Sequence, residues 1–262
     1  MEVVDLNANN QKSYFCCLEE WSEDMKEAGN HKEIWFNEMK DKGLKVKLIH
    51  NENGVLAGMI QYMPIEYSFA GGQDLYFVNC IWVHGHKQGR GNLQNKGLGK
   101  ALLKAAEEDA LSSGSKGVVV WGLILPFFMK AAWFKKHGYK AVDRIGMQSL
   151  LWKPFSGDAV APRWIRQRKK PEMVPGKVVV SAFVNGWCPA QNITYERAKR
   201  SAGEFGDKVL FKEYHTIDRN VFLEWGISDG LFVDKKQIWT GPPPSYEKIK
   251  GIIEKQVRKK RL

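Results

Sequence analysis

The run from Asp74 to Leu125 constrains this chain more than any other. It opens on "DLYFVNCIWV", a mostly apolar stretch that reads as a strand in a central position of a sheet. A glycine-rich segment, "LQNKGLGKALL", then tips into an amphipathic stretch from Lys100 to about Ser113. Gly114 can end that helix in a left-handed cap. "GVVVWGLIL" follows as the next strand. A glycine turn opening a helix places unpaired amides and a positive dipole end together, which is where anions bind. Two nucleotide loops fail on single residues. A Walker loop needs a hydroxyl after Gly99-Lys100, and Ala101 has none. A dinucleotide loop needs a third glycine where Leu102 stands, and leucine would obstruct the close helix–strand packing.

Around this run the elements are short. Val3–Leu6 reads as a strand, and 11–27 and 31–42 as two helices, with Tyr14, Leu18, Trp21 and Met25 spaced by three or four. "LKVKLIH" and "VLAGMIQYM" flank Asn53-Gly54, a hairpin signal. "PFFMKAAWFKK" reads as a helix with Pro126 near its start, and "MQSLLWK" as a last strand. Pro154, Pro162, Pro171 and Pro175 then cluster with the basic run "RWIRQRKK", which is linker chemistry. The expected division is 1–155, a basic Pro-rich linker at 156–175, and 176–262. The second part reads as strand, helix, strand, short helix, strand, strand and helix, with Ser245 as the N-cap of the last.

The net charge of +11 is uneven: residues 161–262 carry 21 Lys and Arg against 11 Asp and Glu, so nearly all the excess lies there. Two runs hold much of it, Arg163, Arg166, Arg168, Lys169 and Lys170, then Arg258 to Arg261. A nucleic-acid reader spreads basic residues over a face with aromatics between them. These runs read instead as a solvated linker and tail, so nucleic acid is not an expected partner. The N-terminus shows no basic and apolar leader, and the longest apolar run, Val118 to Met129, is shorter than the roughly 20 residues a bilayer needs. Cys16, Cys17, Cys80 and Cys188 have neither disulfide-framework nor zinc spacing. A cytoplasmic protein without membrane or metal is the expectation.

Gln94-Asn95-Lys96-Gly97-Leu98-Gly99 matches Q/R-x-x-G-x-G/A, after an apolar strand and ahead of a helix with inward Leu98, Ala101, Leu102 and Ala105. This resembles motif A of the GNAT (Gcn5-related N-acetyltransferase) superfamily, and the resemblance covers most of residues 1–153. It implies a central mixed, mostly antiparallel sheet and a loop that cradles the pyrophosphate of acetyl-CoA. It assigns cofactor contacts to Gln94, Asn95, Lys96, Gly97, Leu98, Gly99 and Lys100. Ile81, Trp82 and Val83 would form the splayed strand that pairs with the pantetheine arm. Many members carry a tyrosine acid in the later helix, and here that position is Phe134. An asparagine one turn earlier corresponds to Phe128. The segment "HGHKQGRGN" is longer than most members have there. Candidate groups for proton handling are His84, His86, and Asn79 or Cys80 through a water.

In the second part, "FVNGWCPAQN" resembles the active-site turn of thioredoxin-like folds, with Gln191 in place of the second cysteine. Cys188 is therefore a candidate reactive thiol at a helix N-terminus, without an internal disulfide partner. The two parts together resemble the YoaP-like group. The class implied is α/β, more closely α+β: a GNAT fold plus a smaller thioredoxin-like domain. The function implied is acyl-CoA-dependent transfer, from acetyl-CoA, to an amine of a small molecule or peptide. The alternatives are a non-catalytic CoA-binding sensor and a thiol-dependent enzyme using Cys188.

Overall fold

A computed structural model describes residues 1–125, 128–239 and 241–260. The chain forms two compact units: Met1–Trp21 with Asn37–Ile165, and Ser22–Phe36 with the chain from Arg166 onward. The crossing at Ile165 falls inside the Pro-rich segment. The packing of 22–36 with the second unit had no counterpart in the sequence.

The first unit opens with β1 (Glu2–Asp5) and α1 (Gln11–Phe15). The helix expected over 11–27 is broken. Cys17 and Leu18 take left-handed backbone, at φ 52° and 65°, and no helix continues through them. Tyr14 and Leu18 are still fully buried, as their spacing required, but across a turn closed by Leu18 N–H to Ser13 O at 2.8 Å. Next in the chain come α2 (Glu23–Lys26), which belongs to the second unit, and α3 (His31–Met39), which begins in it. The hairpin forms from β2 (Lys45–His50) and β3 (Leu56–Pro64). Its loop is wider than a two-residue turn: Asn51 Oδ1 accepts from the amides of Asn53 and Val55, each at 2.9 Å.

β4 (Ala70–Gly71), β5 (Tyr76–Val83), α4 (Leu98–Ser112) and β6 (Gly117–Leu123) complete the constraining run. The expected stripe of α4 is rotated slightly. Leu98, Leu102, Leu103, Ala106 and Ala110 are buried, while Ala101 and Ala105 are half-buried. After it α5 is short, Ala131–Lys136; Pro126 and Phe127, where the sequence suggested its start, lie outside the described residues. β7 (Lys140–Ile145), missed in the sequence, and β8 (Gln148–Pro154) follow, then β9 (Arg163–Trp164), which pairs with β4 inside the expected linker.

The sheet order is β1-β2-β3-β5-β6-β8-β7, antiparallel throughout except for β5 and β6. That one parallel pair is what a helical crossover through α4 requires. A core of Ile60, Tyr62, Val78, Leu102, Val120 and Phe134 fills the α4 face. Ile65, Phe77, Val119 and Leu150 fill the other.

The second unit has β10 (Val178–Val184), α6 (Pro189–Gly203), β11 (Val209–His215), α7 (Arg219–Trp225), β12 (Gly230–Val233), β13 (Lys236–Trp239) and α8 (Tyr246–Lys259). Its sheet order is β11-β10-β12-β13, with β10 and β11 parallel and the others antiparallel. β10 is buried along its whole length, which its unbroken apolar pattern anticipates. Arg197 on α6, with 8% of its side chain exposed, donates to Asp24 Oδ1 at 2.7 Å, Glu27 Oε1 at 2.6 Å and Pro244 O at 3.0 Å. Ser245 caps α8 by accepting from Lys248 N–H at 3.3 Å. Ser245→Ala should cost about 1 kcal/mol. Faster hydrogen exchange confined to the first turn of α8 would show it, and unchanged protection there would contradict the cap.

Candidate active site

The site grows from the place where β5 parts from β6. Their pairing runs only from Tyr76↔Val118 to Val78↔Val120, although β5 continues to Val83 and β6 to Leu123. The cause is local. Against β3, Tyr62 pairs with Val78 but Gln61 with Cys80, so Asn79 is an extra residue that bends the strand. Trp121 of β6 then fills the opening, its indole N–H donating to Asn79 O at 2.8 Å.

Beyond Asn79, main-chain direction alternates. His84 N–H reaches Ala57 O beside β3 at 2.9 Å, whereas Val83 O points the other way and accepts from Gln94 Nε2 at 3.2 Å. By that alternation Ile81 and Val83 turn their polar groups to the open edge, and Trp82 turns its own toward β3. An extended, amide-bearing chain can add along such an edge.

The edge leads to the glycine loop. Asn95 and Gly97 have φ of 61° and 80°, and Gln94, Asn95, Lys96 and Gly97 are exposed. A Cβ at Gly97 would meet nothing within 4 Å, so the loop opens outward. α4 starts with no side-chain cap and no acidic residue in its first turn, so its leading amides are left for an anion. Lys96 and Lys100 are exposed beside them. The Trp133 ring lies against Gly99, 3.5 Å from where a Cβ would be. These residues fit a pyrophosphate joined to an amide-bearing arm, the chemistry of coenzyme A.

On the face opposite α4, polar and aromatic groups gather. Tyr14 donates to Gln61 Oε1 at 2.8 Å, and burial pushes its phenol well above the usual range. His84 is fully buried. Its Nδ1 lies 2.8 Å from Gly91 O, and its Nε2 accepts from Trp21 Nε1–H at 3.2 Å. A carbonyl can only accept, so Nδ1 carries the proton and both ring nitrogens are engaged. His84 closes the 84–92 loop and holds Trp21, and has no lone pair left to take a proton. Arg90 fixes the same loop from the other end. It donates to Leu18 O at 3.2 Å, Leu56 O at 3.1 Å and Ser13 Oγ at 3.2 Å, and pairs with Glu20. Burial alone would raise Glu20, but Ser13 and Arg90 hold its carboxyl below the usual range.

His86 is half-exposed, with Nε2 3.3 Å from Glu19 Oε1. Cys80 is buried among these residues at 6% exposure. Phe134 is fully buried against Trp133 and Tyr139, with ring centroids 5.0 and 5.8 Å away. Phe128 packs on Trp82 and Trp121. The structure thus brings Asn79, Cys80, His84 and His86 into one unit. Glu19, Trp21 and Arg90, which the sequence did not single out, complete their surroundings.

Cys188 lies in the second unit, as the N-cap of α6 with Pro189 following. Its turn is held by Asp229, which accepts from Asn185 N–H at 3.0 Å, Trp187 Nε1–H at 2.9 Å and Ser228 Oγ–H at 2.6 Å. Burial raises the Asp229 carboxyl above its usual range, against those three hydrogen bonds.

The acetyltransferase (GNAT) family matches residues 7–139, just over half of the chain, and the chain belongs to that family. Among solved structures it is similar to the PaiA N-acetyltransferase of Thermoplasma acidophilum in complex with coenzyme A, at 17% identity and TM-score 0.44, covering 59% of this chain and 98% of that one. A GNAT family acetyltransferase of Brucella melitensis in complex with acetyl-CoA is similar at 13% identity and TM-score 0.42, over 61% of this chain and 90% of that one. No curated protein matches the chain. Among the described residues no helix is long and apolar enough to cross a membrane.

Proposed function

We propose that the protein is an acyl-CoA-dependent N-acyltransferase that moves an acetyl group from acetyl-CoA directly to an amine of a small molecule or peptide. One observation carries this reading: the open edge of β5 runs into a glycine loop and an uncapped fifteen-residue helix, α4. The main-chain groups of Ile81 and Val83 would hold the pantetheine arm. Gln94 to Lys100 would hold the pyrophosphate, with Gly97 giving close approach and Lys96 and Lys100 adding charge. Bound acetyl-CoA supplies a thioester already reactive toward amines. The chain's work is then positioning, worth up to roughly 7–11 kcal/mol when two reactants are well aligned. The departing thiol ionises near 8.5, so its protonation asks little of the protein.

The functional division we propose assigns acetyl-CoA binding to residues 1–155, with 156–175 as linker and 176–262 as a thioredoxin-like, YoaP-like domain. The element order of the second unit and Cys188 ahead of α6 support that last assignment. The cysteine spacing, which resembles no disulfide framework, supports a cytoplasmic location.

The test is calorimetry with acetyl-CoA, followed by turnover on a panel of amines. Binding and acetylation are the expected results, and no acetyl-CoA binding would end the reading. The full burial of Phe134, which offers no proton, favours one alternative, a CoA-binding protein without catalysis. Tight binding with no turnover on any amine would establish it.

A further inference from the structure

Buried polar atoms are nearly always paired in folded proteins. Along β3 and β5 four are not: Gln61 Nε2, Trp82 Nε1 and both amide atoms of Asn79. Val78, Ile81 and Val83 pack toward α4, so Cys80 and Trp82 project from the opposite face. Trp82 is in ring contact with His86 at 5.9 Å and Phe128 at 5.9 Å, and Trp21 approaches His86 at 5.4 Å. His86 thus stands among aromatic rings, against Trp82, whose indole N–H has no hydrogen-bond partner.

Its partner is held in place from several sides. Glu19 has 14% of its side chain exposed and follows the left-handed pair Cys17 and Leu18. Such backbone persists only where the surroundings over-determine it, and it clusters at functional sites. Here Arg90 donates to Leu18 O and pairs with Glu20, bracketing Glu19 on both sides. The Glu19–His86 contact uses Nε2, and Nδ1 has no partner among the described residues. The titratable groups around the ring are Glu19 and His84. His84 has both ring nitrogens engaged, Glu20 is tied to Arg90, and Lys87 follows in the chain. Burial holds the Glu19 carboxyl above its usual range, against the lowering by His86 beside it.

We propose that His86 is the base for the acceptor amine and Glu19 its positioning residue, and that the acceptor is a primary ammonium on an apolar stem. This rests on the acyltransferase reading above. Glu19 fixes the imidazole through Nε2 and stabilises the imidazolium, the role a carboxylate plays beside a catalytic histidine. The aromatic rings favour a cation and its apolar stem. Nδ1 takes one proton from the ammonium, leaving a neutral amine. The amine lone pair attacks the thioester carbonyl carbon, the C–N bond forms, and the C–S bond breaks with its electron pair on sulfur. The thiolate takes the second proton from the acylated nitrogen, and His86 returns the first to water.

The experiment uses the full chain with acetyl-CoA and n-hexylamine, benzylamine and glycine as acceptors. Glu19→Gln and His86→Gln should each lower kcat about 100-fold or more, with acetyl-CoA affinity unchanged. The limb of kcat/KM that rises with pH should be lost in His86→Gln, and Glu19→Asp should recover part of the rate. The two apolar amines should exceed glycine. Variants equal to wild type while wild type acetylates amines, or a rising pH limb retained in His86→Gln, overturn this proposal and leave the acyltransferase reading intact. Binding of acetyl-CoA with no amine acetylated by wild type overturns both.

Discussion

Gly97→Glu should weaken acetyl-CoA binding at least ~100-fold, a loss of roughly 3 kcal/mol, in a protein that still folds. The two effects separate because of where Gly97 lies. It is exposed, its φ is 80°, and a Cβ there would meet nothing within 4 Å. A side chain costs about 1–2 kcal/mol of backbone strain and displaces no neighbour. Its carboxylate, however, stands at the start of α4, where the uncapped amides are directed, and repels a phosphate. Calorimetry with acetyl-CoA reads the first effect and thermal unfolding the second. Unchanged affinity would remove the loop from the cofactor site.

Arg197→Leu should destabilise the second unit by about 1.5–3 kcal/mol, the worth of charge-assisted hydrogen bonds from a buried guanidinium to carboxylates that are themselves partly exposed. The variant leaves Asp24, Glu27 and Pro244 O facing an apolar side chain. Because Arg197 ties α6 to residues 24 and 27, hydrogen exchange should accelerate first in α2 and α6. The effect depends on pH with a definite sign. Hydrogen bonds from Arg197, with Arg200 helping against burial, hold the Glu27 carboxyl below its ordinary 4.5. A depressed folded value stabilises above the unfolded one and is lost as pH falls through the folded one. Wild type should therefore lose this contribution below about pH 4.5, and the variant should show a flatter acid limb. A loss under 1 kcal/mol at neutral pH, by exchange in α6, would show that the contact is dispensable.

The sheet of the first unit was legible where pattern and local chemistry agree. The apolar runs of β5 and β6, the Asn53-Gly54 hairpin and the glycine start of α4 each depend on neighbours in sequence. The break at Cys17 and Leu18 was not legible. Tyr14, Leu18 and Trp21 have helical spacing, and only Gln61, His84 and Arg90, distant in sequence, decide that the chain turns there. β7 was missed because Lys140–Ile145 is mostly exposed or half-buried, so no apolar alternation announces it. The candidate site divided along the same line. The cofactor loop is one continuous motif, while the Glu19–His86 pair joins segments 67 residues apart.

What the sequence alone determined is which nucleotide loops this one is not, and that a glycine turn opens α4. Ala101 and Leu102 exclude two nucleotide loops, and Gly97 and Gly99 mark the helix start, because turn chemistry is a property of neighbouring residues; coenzyme A is what the resemblance to the GNAT motif implies. What only the tertiary structure decided is which histidine keeps a ring nitrogen without a partner among the described residues. His84 and His86 are two residues apart and chemically identical. Folding commits both nitrogens of one to a carbonyl and an indole, and sets the other beside a carboxylate with one nitrogen unclaimed.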